Sequence, residues 1–264
     1  MERGSPGVVI RKSEIQAYFA SSGENGSIEK DVRCFLRGIS EIHPEAETPR
    51  MRWRILKDRN WNSSWHRFFR PQKVGKAFWV MPPWATPPTL HRRQVIIIEP
   101  GMAFGTGTHA TTRGCMEFIE QVAPLVRGTE FNALDVGTGS GILAIALAKL
   151  GARKVSAVDV DPVALKVAQE NLRCNHVQEK IHISEAKLSR IRKSFSVVVA
   201  NLTAETIIDL AGSLETRVAA RGFLILSGIL NPKTRQVINQ FAADFQVMRR
   251  KLEKEWVTLL LRRR

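Results

Sequence analysis

The sequence contains little of what marks secreted, metal-bound or membrane proteins. Its cysteines, Cys34, Cys115 and Cys174, are far apart and form no CxxC pair, so neither a disulfide framework nor a zinc site is predicted. No apolar run approaches the ~20 residues that a membrane helix needs. The N-terminal segment also lacks the apolar core of a signal peptide. These absences predict a cytoplasmic protein without a bound metal or membrane contact.

Acidic residues are scarce relative to basic ones. Lys and Arg number 40 against 25 Asp and Glu, which gives a formal net charge of +15. This excess is typical of proteins with a polyanionic neighbour such as RNA, or with a substrate that lies on RNA. Charge spread over the surface for solubility explains it equally well, because no stretch is a dense basic tract. We therefore expect at most weak RNA contact through the basic surface.

The chain is organised around the glycine-rich stretch LDVGTGSG, residues 134–141. An apolar run at 131–136 predicts a buried strand, and 141–152 predicts a helix that follows the glycines at once. Gly137 and Gly139 allow a sharp turn and close approach of a ligand to the backbone. The pattern is typical of the start of a βαβ unit that binds a nucleotide or nucleoside, although a turn that binds nothing has the same pattern.

The surroundings of this turn favour S-adenosylmethionine over NAD. The dinucleotide fingerprint is GxGxxG, whereas the third glycine here comes one residue sooner. Asp135 lies just before the turn, where it would repel a pyrophosphate and suit a ligand with an amino group and a sulfonium. Asp159 ends the next predicted strand, where a carboxylate accepts hydrogen bonds from a ribose diol. A nicotinamide-dependent dehydrogenase is the rival that these features disfavour.

Two further stretches contribute polar residues to the same region. The loop at 101–109 is rich in glycine and threonine and contains His109, and it precedes a helix that starts near Thr111. Thr111 and Thr112 are good N-caps, but so long a polar loop beside a nucleotide unit indicates a segment that closes over the ligand. Asn201 ends the predicted fourth strand, at the edge where α/β proteins bind ligands.

The remaining pattern alternates between strands and helices. Asp161 and Pro162 predict a helix start, and that helix runs to about Cys174. Further predicted elements are strands at 181–184, 194–202 and 222–230, helices at 203–220 and 233–245, and a final hairpin. The predicted domains are a small α+β domain at 1–57, a linker and connector at 58–93, and an α/β domain at 94–264.

These motifs together resemble the ribosomal protein L-eleven methyltransferase family (PrmA-type). The most specific piece is EPGMAFGTGTHATT at 99–112, followed in order by LDVGTGSGILAIALAKLGA, VDVDPVAL, VVANL, LSGIL and a late EW. The resemblance implies a Rossmann-like class I methyltransferase domain, with a mostly parallel seven-stranded sheet and S-adenosyl-L-methionine as cofactor. It also implies a small N-terminal substrate-recognition domain. In the family this domain is usually a complete ferredoxin-like unit, and residues 1–57 hold only about its second half.

The resemblance also implies site residues and a substrate. Its cofactor contacts fall on Thr112, Gly137, Gly139, Asp159, Asn201 and, in the loop that closes over the methionine end, Phe104, Gly105 and Thr106. The implied reaction is methylation of lysine or N-terminal amino groups of ribosomal protein L-eleven, free or on the ribosome. The alternatives are a lysine methyltransferase of the electron-transfer flavoprotein beta subunit, an RNA methyltransferase, and a non-catalytic ribosome-associated module.

Catalytic roles are predicted for Asn201 and His109. Transfer of a methyl group to an amine needs alignment of the reacting atoms, exclusion of water and a neutral amine. Because desolvation lowers the pKa of the amine, a dry site needs no strong base if the proton can leave to water. The Asn201 side-chain oxygen can orient the amine. His109 is suited to accept the proton, or it shapes the loop through a hydrogen bond. The RNA methyltransferase alternative is disfavoured because ValAlaAsnLeu stands where a base-flipping enzyme carries an Asn-Pro-Pro-Tyr-type motif.

Overall fold

The structure is a computed structural model that describes most of the chain. The described residues are 7–11, 14–18, 25–42, 50–53, 69–87, 92–100, 107, 109–126 and 131–264. The chain divides into two compact units, Met1–Asn62 and Ser63–Arg264. No helix among the described residues has the length and apolar character that crossing a bilayer requires.

The first unit contains a hairpin and one helix among its described residues. Strands β1 (Gly7–Arg11) and β2 (Glu14–Tyr18) pair antiparallel, and helix α1 covers Asn25–Ile42. Along α1 the apolar residues at helical spacing are half-buried, whereas Phe35 at the edge of that stripe is exposed. The domain bounds proposed from the sequence stay a prediction.

The second unit contains a seven-stranded sheet. Its strands are β6 (Asn132–Val136), β7 (Lys154–Val158), β8 (Ile181–Ser184), β9 (Phe195–Asn201), β10 (Val218–Leu230), β11 (Phe245–Glu253) and β12 (Trp256–Arg263). The spatial order is β11-β12-β10-β9-β6-β7-β8. Strands β10, β9, β6, β7 and β8 run parallel, and the terminal hairpin β11–β12 adds antiparallel. The predicted Rossmann-like α/β fold is confirmed.

Helices cover both faces of this sheet. They are α2 (Ala110–Val126), α3 (Ile142–Lys149), α4 (Pro162–Cys174), α5 (Ala204–Asp209), α6 (Ala211–Arg217) and α7 (Thr234–Phe241), with short 3-10 helices at Leu188–Arg190 and Asn231–Lys233. Successive strand residues serve opposite faces: Val197 packs in the core that contains α2 and α3, and Val198 packs in the core that contains α5, α6 and α7. The sheet is therefore buried on both sides, as parallel sheets are.

The single helix predicted over 203–220 is wrong. The structure has two helices, α5 and α6, that meet at Leu210, and β10 already begins at Val218. Val218 pairs with Phe195 at the start of β9. Parallel pairing with a distant strand therefore overrides the local helical pattern at this end. The predicted helix at 233–245 is likewise shorter, because residues from Phe245 onward form β11.

A second, three-stranded sheet lies before α2 in the chain. It is formed by β3 (Gln72–Val74), β4 (Phe78–Met81) and β5 (Gln94–Ile97), in the order β3-β4-β5. Strands β4 and β5 run parallel, and β3 pairs antiparallel with β4. Phe78 and Ile96 are fully buried in the same core as α2 and α3. This sheet therefore packs with the first half of the Rossmann-like unit.

Helix α2 packs closely on β12 at a glycine, which gives a test of this packing. A Cβ at Gly114 would clash with the Thr258 hydroxyl and lie 2.9 Å from the Thr258 Cβ. Gly114→Ala should therefore lower the free energy of unfolding by roughly 1–3 kcal/mol, the usual effect of overpacking. Denaturant titration measures this change.

The matched control is Gly212→Ala in α6, where no heavy atom lies within 4 Å of the added Cβ. This variant should be slightly more stable than the parent, by roughly 0.5–1 kcal/mol, because alanine favours a helix more than glycine does. Equal effects of the two substitutions would contradict the close packing of α2 on β12.

Candidate functional site

The register of the large sheet places the predicted site residues in one row. Val136 pairs with Val158 on one side and with Ala200 on the other, and Asn201 pairs with Ser227. Gly137 and Asp159 each follow the last residue of their strands, and Asn201 is the last residue of β9. Three parallel strands therefore present Gly137, Asp159 and Asn201 at the same carboxyl edge, where α/β proteins bind ligands.

The glycine turn between β6 and α3 has backbone angles that only glycine adopts readily. Gly137 has φ +72°, and its α-carbon faces the Leu202 side chain, whose Cδ2 would lie 2.5 Å from an added Cβ. The Gly137 and Thr138 amides donate to the Val158 carbonyl at 2.8 and 3.0 Å. The turn is thus fixed to the end of β7, and a side chain at Gly137 would displace it.

Asp159 is the link between the turn and the start of α4. Its Oδ2 accepts a hydrogen bond from the Gly139 amide at 2.9 Å, and its Oδ1 accepts one from the Asp161 amide at 3.1 Å. Asp161 in turn caps α4 by accepting from the Val163 amide at 2.8 Å, as predicted. Because each carboxylate oxygen accepts more than one hydrogen bond, Asp159 keeps capacity for a diol while its orientation is fixed.

Asp135 is the most deeply buried charged residue of the site. It has no solvent exposure, and its Oδ2 accepts from the Thr138 hydroxyl at 2.7 Å and from the Ala144 amide at 3.1 Å. Burial raises the pKa of the Asp135 carboxyl to about 7, against the lowering effect of these two hydrogen bonds. A carboxyl group that changes charge near neutrality is therefore held beside the turn.

Three buried polar atoms in this region have no hydrogen-bond partner among the described residues. They are Asp135 Oδ1, Thr112 Oγ1 and Asn201 Oδ1. Buried polar atoms are almost always paired in folded proteins, and an unpaired one costs about 1–3 kcal/mol. Only two other described side-chain atoms share this property, Arg217 Nε and Thr234 Oγ1. The unpaired atoms are therefore concentrated among residues that the sequence assigns to ligand contact or places beside the turn.

His109 lies against the beginning of the last strand. Its ring makes an edge contact with the ring of Trp256, with 5.3 Å between centroids, and its Nδ1 is 2.8 Å from the Thr111 hydroxyl. Trp256 pairs with Leu230, so it also lies at the carboxyl end of β10. Helix α2 begins at Ala110, so Thr111 and Thr112 belong to its first turn and are buried. The interpretation of these two threonines as N-caps is therefore wrong.

Ion pairs tie α2 to the terminal hairpin behind this contact. Arg113 pairs with Glu253, and Lys251 Nζ lies 2.7 Å from Glu117 and 3.1 Å from Glu253. These groups are partly exposed, so each pair contributes little alone. Lys251 and Glu253 lie on β11, and Glu253 pairs with Trp256 of β12, so these ion pairs help to keep Trp256 beside His109.

Comparison with known proteins identifies the family. The family described as "Ribosomal protein L11 methyltransferase (PrmA)" matches residues 4–264. The chain belongs to this family. The ribosomal protein L11 methyltransferase of Pelobacter propionicus is 36% identical over 253 residues, which cover 94% of this chain and 81% of that protein. That of Trichlorobacter lovleyi is 39% identical and is covered to 75%.

A solved structure supports the same family assignment. The ribosomal protein L11 methylase of Lactobacillus delbrueckii subsp. bulgaricus is 30% identical and superimposes with a TM-score of 0.67, over 74% of this chain and 98% of that one. The chain thus has the class I methyltransferase fold. Within this family fold, the motifs at 134–141, 158–165 and 198–202 converge on one edge of the sheet.

Not every predicted residue of the site can be located. Phe104, Gly105 and Thr106 lie outside the described residues, so the closing loop stays a prediction. The structure adds Val160, which directly follows Asp159 and is 75% exposed despite its apolar side chain. It also adds Trp256, whose only sequence signal was the late EW of the family resemblance. An exposed apolar residue next to a diol acceptor suits the flat face of a base.

The buried Asp135 predicts a pH-dependent stability. Since its pKa is raised to about 7 in the folded protein from 3.8, the unfolded chain loses this proton first as the pH rises. The folded protein binds this proton more tightly than the unfolded chain does, which adds to the free energy of unfolding. This contribution is complete below about pH 4 and is lost by about pH 7. Relative to Asp135→Asn, the parent should lose a few kcal/mol of unfolding free energy across this window.

Chemical denaturation at a series of pH values measures the difference. Asp209→Asn, the same change at an exposed helix position, is the matched control. A difference between the parent and Asp135→Asn that stays constant from pH 4 to pH 8 would show that Asp135 is ionised throughout in the folded protein.

Proposed function

We propose that this chain is an S-adenosylmethionine-dependent N-methyltransferase that modifies lysine or N-terminal amino groups of ribosomal protein L11. The observation that carries the proposal is a glycine turn held by Asp159, together with the unpaired buried atoms of Asp135, Asn201 and Thr112 at the start of α2. The names of the relatives support the choice of protein substrate. The proposal implies a cytoplasmic enzyme, because ribosomal proteins join the ribosome there.

The residues present fit this cofactor part by part. Asp159 would accept the ribose hydroxyls, and Val160 would contact the adenine face. Asp135 Oδ1 would accept a hydrogen bond from the ammonium of the methionine part, and the Thr112 hydroxyl would donate one to the carboxylate of the methionine part. Gly139 would leave room for the ligand against the backbone, whereas Leu202 fills the space on the Cβ side of Gly137. Each unpaired atom of the described edge thus acquires a partner of suitable chemistry.

The protein's part in the reaction is binding, orientation and removal of a proton. S-adenosylmethionine, when bound, supplies a methyl group on a positively charged sulfur. Asn201 Oδ1, buried and without a described partner, can accept an N–H of the incoming amine and so direct its lone pair. Desolvation at this edge lowers the pKa of an amine and favours the neutral, reactive form. His109, held by Trp256 and Thr111, would accept the released proton.

Transfer of a labelled methyl group tests the proposal. The purified chain is incubated with methyl-labelled S-adenosylmethionine and, separately, with ribosomal protein L11, the electron-transfer flavoprotein beta subunit and RNA. Label should enter L11 alone, on amino groups. Label in the flavoprotein or in RNA instead would replace the substrate, and cofactor binding without any transfer would indicate a binding module.

Asp159 should carry much of the cofactor affinity. A hydrogen bond to a charged acceptor contributes roughly 1.5–3 kcal/mol, so Asp159→Ala should weaken S-adenosylmethionine binding at least about tenfold in calorimetry. Asp161→Ala, two residues away, removes the α4 cap. It should cost about 1 kcal/mol of stability and leave the affinity nearly unchanged. If both variants bind like the parent, Asp159 is not the ribose acceptor.

Asn201 should matter more for turnover than for cofactor binding. Loss of one oriented polar contact at a reacting centre lowers kcat by about 10², and Asn201→Ala should show this with a much smaller change in cofactor Kd. The control is Thr203→Ala, which removes the exposed N-cap of α5. A loss confined to cofactor Kd would make Asn201 a binding residue, and full activity would remove it from the site.

A further inference from the structure

Asn171 in α4 and Asn175, the residue that caps the C-terminus of α4, hold the edge of β5 that does not pair with β4. Asn175 Oδ1 accepts from the Ile97 amide at 2.9 Å, and its Nδ2 donates to the Ile97 carbonyl at 2.6 Å. Asn171 Oδ1 accepts from the Glu99 amide at 3.0 Å. Both side chains are almost completely buried, with 1% and 5% exposure for Asn171 and Asn175. Buried amides with this many partners have a single orientation.

The spacing explains why a helix can replace a strand here. Asn171 and Asn175 are one turn apart, which is a rise of about 6 Å along α4. Ile97 and Glu99 are two residues apart, which is about 6.6 Å along an extended chain. The two amides therefore match the backbone groups of Ile97, the last residue of β5, and of Glu99, two residues beyond it, while the other edge of β5 pairs with β4. They give these backbone groups the partners that a further strand would give.

Asn171 has a second contact that Asn175 lacks. Its Nδ2 donates to the Ser140 carbonyl at 2.8 Å. Ser140 lies within the glycine turn, between Gly139 and Gly141. One amide group thus connects the turn to the backbone at Glu99, with its oxygen on one side and its nitrogen on the other. Any displacement of Ser140 changes the hydrogen bond that holds Glu99.

We propose that Asn171 is a positioning residue that couples occupation of the glycine turn to the ordering of the backbone at Glu99. The proposal rests on the proposed function, because the ligand at the turn is taken to be the cofactor. A ligand that fixes Ser140 also fixes the Asn171 amide, and the amide then holds the Glu99 N–H more firmly. Coupling of this kind is reciprocal, so the order of Glu99 also contributes to cofactor affinity.

Amide hydrogen exchange at Glu99, resolved by NMR, tests the coupling with S-adenosylhomocysteine as the probe. In the parent, saturating ligand should slow exchange at Glu99 by about fivefold or more, on the scale of one stabilised hydrogen bond. Asn171→Asp, measured at a pH where its carboxyl is ionised, keeps the acceptor for the Glu99 amide but cannot donate to Ser140. It should bind the ligand about two- to tenfold more weakly in calorimetry and show no slowing at Glu99 when saturated. Asn171→Ala, which removes both contacts, should lose the slowing as well.

Asn175→Ala is the matched control, because it removes an equally buried amide that does not reach the turn. Exchange at Ile97 should be faster with and without ligand, while the ligand should still slow exchange at Glu99. The coupling is refuted if slowing persists in Asn171→Asp, if Asn175→Ala abolishes it too, or if the parent binds ligand without it. Failure of the parent to bind ligand in calorimetry would instead refute the proposed function, and the coupling with it.

Discussion

The buried carboxyl of Asp135 is the interaction on which the site depends. Asp135 lies near the end of β6. Its Oδ2 accepts hydrogen bonds from the Thr138 hydroxyl in the loop and from the Ala144 amide in α3, so it links strand, loop and helix. Without this acceptor, both donors would be buried without a hydrogen-bond partner, at a cost of about 1–3 kcal/mol each. The carboxyl therefore fixes the path of the chain from β6 into α3. The positions of Gly139 and, through it, Asp159 follow from that path.

The sheet turns this local geometry into a site. Residues far apart in sequence reach the same edge because parallel pairing aligns the ends of β6, β7, β9 and β10. The antiparallel hairpin then brings Trp256 to the same edge from the opposite chain direction. The first face of the site thus comes from strand ends, and the second from the start of α2 with His109. In the proposed function, this division separates the residues that would contact the cofactor, which lie mainly at the strand ends, from His109 near α2, which would accept the proton.

Local signals made much of this predictable. The strand before the glycines, the Asp161 cap and the end of β9 at Asn201 follow from short patterns, and the structure confirms all three. The helix over 203–220 failed because the pairing of Val218 with Phe195 is not local. The asparagine contacts to β5 were beyond reach for the same reason, since Asn175 and Ile97 are 78 residues apart. Nothing in the sequence near either residue indicates the other.

Unpaired buried polar atoms lie at the carboxyl edge of the sheet, whereas the buried polar groups beneath that edge are paired. Beneath the edge, the Ser227 and Thr258 hydroxyls pair with each other at 2.8 Å, and the amides of Asn171 and Asn175 are hydrogen-bonded through both oxygen and nitrogen. At the edge, Thr112, Asp135 and Asn201 each retain a buried atom without a described partner. The folded chain bears that cost, and a ligand with complementary donors and acceptors would recover it on binding. In the proposed function, the same unpaired atoms that lower the stability of the protein would therefore supply binding free energy.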